Sequence, residues 1–151
     1  MSAKLLLPLI ALTTVVVMGI YFLFNPSYER SIEAKYYYEM GEYEEAYRLA
    51  NEAFAMDIYN RMAATIMAQS KTSIKYVAFI EQAKGFMQEI NAMAENENIE
   101  HAQRAKIKMM AEVVTSSYKK LAPSIITDKA LVDEAASYNA KFEQLLEKIT
   151  H

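Results

Sequence analysis

From Leu5 to Phe24 the chain runs without a single charged side chain, as LLLPLIALTTVVVMGIYFLF. At 1.5 Å per residue, such a stretch wound into a helix covers about 30 Å, the hydrocarbon thickness of a bilayer. Thr13, Thr14 and Gly19 are tolerated in membrane helices, and Pro8 is expected in the first turn, where its missing N–H costs little. Tyr21 and Phe22 fall at the far interface, where tyrosine is enriched. Asn25-Pro26 then stops the helix. A cleaved signal peptide would carry a shorter apolar core, about 7–15 residues, followed by small residues at the cleavage point. Here the run ends in Phe24-Asn25-Pro26-Ser27. The expectation is an uncleaved signal anchor over residues 1–26, spanning the bilayer through Leu5 to Phe24, with one domain over residues 27–151.

Orientation rests on little charge. Lys4 and the terminal amine precede the span, and Arg30 and Lys35 follow it closely. The positive-inside rule is nearly balanced, but a very short basic tail before a signal-like core stays in the cytoplasm. This predicts an inner (cytoplasmic) membrane protein with a cytoplasmic N-terminus and a periplasmic domain.

The remainder reads as all-α. Only three glycines and three prolines occur, and Ala, Glu, Lys, Leu, Met and Gln, all good helix formers, dominate. Cysteine is absent, which excludes disulfides and thiolate metal sites. The net charge of −3 is mild but unevenly spread. Residues 28–57 hold eight acids (Glu29, Glu33, Glu39, Glu42, Glu44, Glu45, Glu52, Asp57) against Arg30, Lys35 and Arg48. Residues 99–121 hold Arg104, Lys106, Lys108, Lys119 and Lys120 against Glu100 and Glu112. Such bipolarity can steer a charged partner or support head-to-tail self-association as a homo-oligomer. It is not the net basic surface that a nucleic acid requires.

Six helical segments are predicted after the anchor, arranged in antiparallel pairs. The first runs from about Ser27 to Met40 and stops at Gly41; the second runs from about Glu42 to Met56. The third follows Asn60, a good N-cap, and weakens around Ser70-Lys71-Thr72-Ser73. The fourth covers Ile74 to about Ala94, with Tyr76, Ile80, Ala83, Met87, Ile90 and Ala94 at helical spacing. Asn96-Glu97-Asn98 makes a polar break. The fifth runs from Ile99 to Leu121 on a stripe of Ile107, Met110, Val114, Tyr118 and Leu121. Pro123 ends it, and Thr127 or Asp128 caps the sixth. That last helix has the cleanest stripe: Leu131, Ala135, Tyr138, Phe142, Leu145 and Ile149, a face built to pack.

Residues 34–57 read AKYYYEMGEYEEAYRLANEAFAMD. The order of Gly41, Tyr43, Ala46, Ala50, Ala53 and Phe54 resembles a tetratricopeptide repeat. With Gly41 at the turn glycine of that family, Ala34 falls on the small residue of its first helix and Tyr37 on its aromatic. Ala46 and Ala53 fall on the two small residues of its second helix. Asp57-Ile58-Tyr59-Asn60 stands where the family has Asp-Pro-x-Asn. Arg30 in place of a large aromatic and Ile58 in place of the proline depart from the pattern. The resemblance covers roughly residues 27–60. One repeat cannot bury its own faces, so the later helices either continue a degenerate solenoid or close the hairpin as a bundle. The resemblance implies that Tyr28, Lys35, Tyr38 and Glu39 line a concave groove with Thr65 and Gln69, as partner-binding positions.

Residues for chemistry are scarce. His101 and His151 are the two histidines, and there is no His-Glu-x-x-His, Gly-rich phosphate loop or Gly-x-Ser-x-Gly. Acidic pairs such as Glu44-Glu45 suit a solvated face. The reading is therefore non-enzymatic, without catalytic residues, cofactor or metal. Within Tyr36-Tyr37-Tyr38, the three rings cannot all face a core, because successive helical residues point about 100° apart; Tyr37 fits the core of the repeat, and Tyr36 and Tyr38 are expected on other surfaces. Ten methionines suit core filling or adaptable binding surfaces. The function expected is a membrane-anchored protein–protein interaction module. It would be a scaffold or assembly factor of a secretion, pilus or flagellar motor machine, or a periplasmic chaperone-like factor. The alternative is a protein-targeting receptor with a cytosolic tetratricopeptide-like domain.

Overall fold

The computed structural model describes residues 3–94, 101–123 and 127–150. Among them are six α-helices and no strand: α1 (Ala3–Phe24), α2 (Pro26–Glu39), α3 (Tyr43–Met56), α4 (Arg61–Ala94), α5 (His101–Tyr118) and α6 (Lys129–Thr150). The chain divides into two compact units, Met1–Ser70 and Lys71–His151, and the division falls within α4.

In the first unit, α1 is already helical at Ala3, so Pro8 lies inside the helix and not in its first turn. The helix tolerates the loss of one backbone donor there without breaking. Thr13 and Thr14 return their hydroxyls to backbone carbonyls: Thr13 to Leu9 at 3.0 Å and Ile10 at 2.9 Å, and Thr14 to Ile10 at 2.8 Å. Every side chain from Leu6 to Tyr21 is exposed. Among the described residues no single helix is long and apolar enough to cross a membrane. Leu6–Tyr21 reaches that measure only jointly with Pro26–Glu39, across a 66° bend. The second member of that pair carries Glu29, Arg30, Glu33, Lys35 and Glu39 and buries Ser27, Ser31 and Ala34, which marks it as part of the domain.

Asn25 both separates α1 from α2 and starts the latter. Its side chain accepts the Ser27 N–H at 3.0 Å, and Pro26 occupies the first helical position, where no N–H is needed. At the other end, Gly41 adopts φ 81°, a left-handed conformation that glycine enters freely. Glu42 N–H reaches the Tyr37 carbonyl at 2.9 Å and Gly41 N–H reaches that of Tyr38 at 3.1 Å. This paired closure satisfies carbonyls that the helix end would otherwise strand.

Turned back by Gly41, α3 buries Ala46, Leu49, Ala50 and Ala53, and α2 meets it with Ser27, Ser31 and Ala34. Apart from Leu49, both stripes are of small residues, so the two backbones approach closely. The Ser27 hydroxyl donates to the Ala53 carbonyl at 2.8 Å, joining the start of α2 to the end of α3 and fixing the pair as antiparallel. Asn60 completes this end. Fully buried, it donates from Nδ2 to Ser27 Oγ at 2.9 Å and Ser31 Oγ at 3.2 Å, and accepts the Ala63 N–H on Oδ1 at 3.1 Å. One amide thus caps α4 and ties it to α2. Exposed pairs along these helices, Arg30–Glu33, Lys35–Glu39 and Arg48 with Glu45 and Glu52, neutralise much of the acidic charge locally. Exposed to solvent, these pairs are screened and add little to stability. Hydrogen bonding from Arg48 holds the Glu45 carboxyl below its usual range.

The third and fourth predicted segments form one helix, α4, so among the described residues five helices follow α1 instead of six. The inward stripe explains this. Ala63, Ile66, Ser70, Ser73, Tyr76, Ile80, Ala83 and Ile90 are all buried and step by three or four, with half-buried Met87 filling the last gap. Ser70 and Ser73 are core positions, not a break. The stretch Ser70-Lys71-Thr72-Ser73 has no glycine or proline, and serine and threonine lower helix propensity by only about 0.5 kcal/mol each.

In the second unit, Tyr76, Phe79, Ile80, Ala83 and Ile90 of α4 share a core with Ile107, Met110, Ala111 and Val114 of α5 and Ala135 and Phe142 of α6. Phe79 and Tyr118 rings meet at 5.8 Å, and burial, followed by the nearby Tyr118, pushes the Tyr76 phenol upward. The fifth helix ends at Tyr118; Leu121 still packs on the core from the turn that follows. Its expected start at Ile99 and the break at Asn96–Asn98 lie outside the described residues. Asp128 caps α6, accepting the Ala130 N–H at 2.9 Å. The whole α6 stripe, from Leu131 to Ile149, faces this core. Salt bridges Lys84–Glu134 at 2.9 Å and Lys106–Glu89 link α4 to its neighbours.

Three outcomes follow from this packing. Ala46→Leu should destabilise the chain by about 1–3 kcal/mol through overpacking, whereas exposed Glu44→Ala should shift it by less than about 0.5 kcal/mol, read by denaturant titration in detergent. Asn60→Ala, which strands a buried N–H and removes two donors, should cost about 2 kcal/mol in the same assay. Truncation after Thr127 uncovers Val114 and Tyr118, and the product should melt at lower temperature or aggregate; an unchanged Tm would contradict the role of α6 in the core.

Candidate interaction groove

The hairpin and the first turns of α4 leave a groove of about 450 Å³. Its walls are Lys35, Tyr38 and Glu39 from the end of α2 and Arg61, Met62, Thr65, Ile66 and Gln69 from the start of α4. The α4 residues step by four along two adjacent rows, so they share one helix face. Ile66 is buried and forms the apolar floor, within a cluster that includes Ala34, Ala46, Leu49 and Ala50. The position of this wall depends on Asn60, since the cap sets the residue at which α4 begins.

Lys35, Tyr38, Glu39, Thr65 and Gln69 come together here; Tyr28, half-buried near the start of α2, does not line the groove. Arg61, Met62 and Ile66 complete the lining and were not singled out from sequence. Their signal was the helical step from Thr65 and Gln69, readable once Asn60 is taken as the cap. Lys35 and Glu39 pair at 3.6 Å. Tyr38 is half-buried and packs edge-on against Tyr43, with ring centres 5.3 Å apart. Of its neighbours, Tyr37 also packs on the hairpin core, while Tyr36 is exposed and meets Tyr37 edge to face at 5.7 Å. Two of the three rings therefore pack on the hairpin core.

The chemistry available is recognition by shape and charge. An apolar floor, two cations, one carboxylate and amide and hydroxyl groups at the rim suit a few side chains of a peptide, and the volume lies in the usual range for binding pockets. Among the described residues no group of three or more His, Cys, Asp or Glu could hold a metal ion. His101 is exposed on the first turn of α5, and His151 lies outside the described residues. Family models, curated proteins and solved structures yield no match to the chain.

Proposed function

We propose that this chain is a membrane-anchored, non-enzymatic protein–protein interaction module, held by α1 and docking a partner segment in the groove between α2 and α4. The groove carries the reading. Five residues named from a tetratricopeptide resemblance surround one cavity with an apolar floor and a charged rim. The occupant that fits is a short peptide segment of a membrane-associated partner. It would place a large apolar side chain against Met62 and Ile66 and a carboxylate near Lys35 and Arg61. A scaffold or assembly factor of a secretion, pilus or flagellar motor machine, or a periplasmic chaperone-like factor, would use such a site.

The anchor is supported by α1 itself. Its 22 residues make about 33 Å of helix, a length comparable with a bilayer core, although its described stretch Leu6–Tyr21 meets the measure of a span only together with α2. An apolar surface exposed all round has no use in water, and both threonines satisfy their hydroxyls within the helix, as lipid demands. In this reading the residues before the helix lie in the cytoplasm and the domain in the periplasm.

The chain should remain in the membrane fraction after carbonate and high-salt washes, and a reporter active only outside the cytoplasm should function when fused to the C-terminus. A soluble form beginning near Ser27 would instead mark a cleaved signal. For the groove, a photo-crosslinking residue at Thr65 should give a discrete adduct in cells that Met62→Asp abolishes. The same residue at Gln82 should give none. Indistinguishable adducts from the two positions would refute docking in the groove.

A further inference from the structure

We propose that the α3–α4 turn is a second membrane contact, inserting Met56, Ile58 and Tyr59 into the boundary between headgroups and acyl chains beside the point where α1 enters the bilayer. The proposal rests on the anchor reading and adds to it a fixed surface on which the domain sits.

Exposure comes first. Within four consecutive residues, Met56 is 55%, Ile58 62% and Tyr59 83% exposed. The fourth, Asp57, turns its carboxylate onto the Tyr59 N–H at 2.9 Å. Asn60 N–H closes on the Asp57 carbonyl at 3.0 Å. The turn is thus internally hydrogen-bonded and presents its apolar side chains outward as a formed wedge.

Location comes second. Both ends of the turn are tied to the same residue: Ala53 accepts from Ser27 Oγ at 2.8 Å, and Asn60 donates to it at 2.9 Å. Ser27 lies only three residues beyond Phe24, the last residue of α1, which is 81% exposed. The end of α1 and the turn therefore lie at the same end of the hairpin. Lipid is the occupant that this shared end selects, because a bilayer that holds α1 lies beside the turn without a further partner. The residue types agree: aliphatic side chains gain by leaving water, and tyrosine, with an apolar ring and a hydrated hydroxyl, is enriched at that depth.

The chain has no tryptophan, so single indole probes can be introduced without background. Tyr59→Trp and Val16→Trp variants of the full chain would be reconstituted into phosphatidylcholine–phosphatidylglycerol vesicles containing lipids brominated at shallow or deep positions. We expect the Tyr59→Trp indole to be quenched by shallow bromines more than by deep ones and to be shielded from aqueous iodide. We expect the Val16→Trp indole to be quenched by deep bromines. Quenching at position 16 without quenching at position 59 would overturn the surface contact and keep the anchor. Quenching at position 59 alone would overturn the spanning anchor and keep the contact. A Tyr59→Trp indole shielded from iodide yet untouched by either lipid would mean that protein covers the turn, and the proposal would fail.

Discussion

The side chain of Asn60 is where the first unit is decided. A buried amide is tolerable only when its hydrogen-bonding capacity is used, and here Nδ2 serves two serines of α2 while Oδ1 caps α4. An apolar residue could fill the space but would leave the first turn of α4 without an acceptor. Because the amide is directional, it specifies the register as well as the contact: α4 starts at Arg61, and the face carrying Thr65, Ile66 and Gln69 turns toward α2. Ser27 relays the same constraint to α3 through the Ala53 carbonyl. Small residues on both facing stripes make these short bonds possible, since a larger side chain at Ala34 or Ala46 would hold the backbones apart.

The second unit is built on volume. Phe142, Tyr76, Phe79 and Ile107 fill a core bounded by three helices, and its ion pairs lie at the surface. The two units place different demands on α4. Its first turns supply small, polar and capping residues, and its later turns supply aromatic and aliphatic bulk, along one inward stripe. Ser70 and Ser73, both buried, fall at the change between these regimes.

Much of this was legible from residue types alone where the determinant is local. Gly41 announces the turn, Asp128 announces a cap, and the alternation from Leu131 to Ile149 announces a packed face. Two things were not. Serines inside a helix register as weak propensity, so the Ser70–Ser73 stretch reads as a boundary although tertiary packing draws both inward. The partners of Asn60 lie about thirty residues earlier, and no local pattern shows that Ser27 and Ser31 will accept its protons. The groove was half visible: Lys35, Tyr38, Glu39, Thr65 and Gln69 follow from the hairpin resemblance, whereas Tyr28 misses the lining because it sits at the opposite end of α2. Arg61, Met62 and Ile66 emerge only when the cap has fixed the helix phase.

The tie between Ser27, Ala53 and Asn60 also has a mechanical side. Any load carried by α1 passes through Asn25 and enters the folded unit at Ser27, the residue bonded to both ends of the α3–α4 turn. Tension is therefore divided at once among three segments of chain rather than being spent in peeling α2 away from one end. The attachment point doubles as a clamp, and α2 and α3 separate only after those short bonds have yielded together.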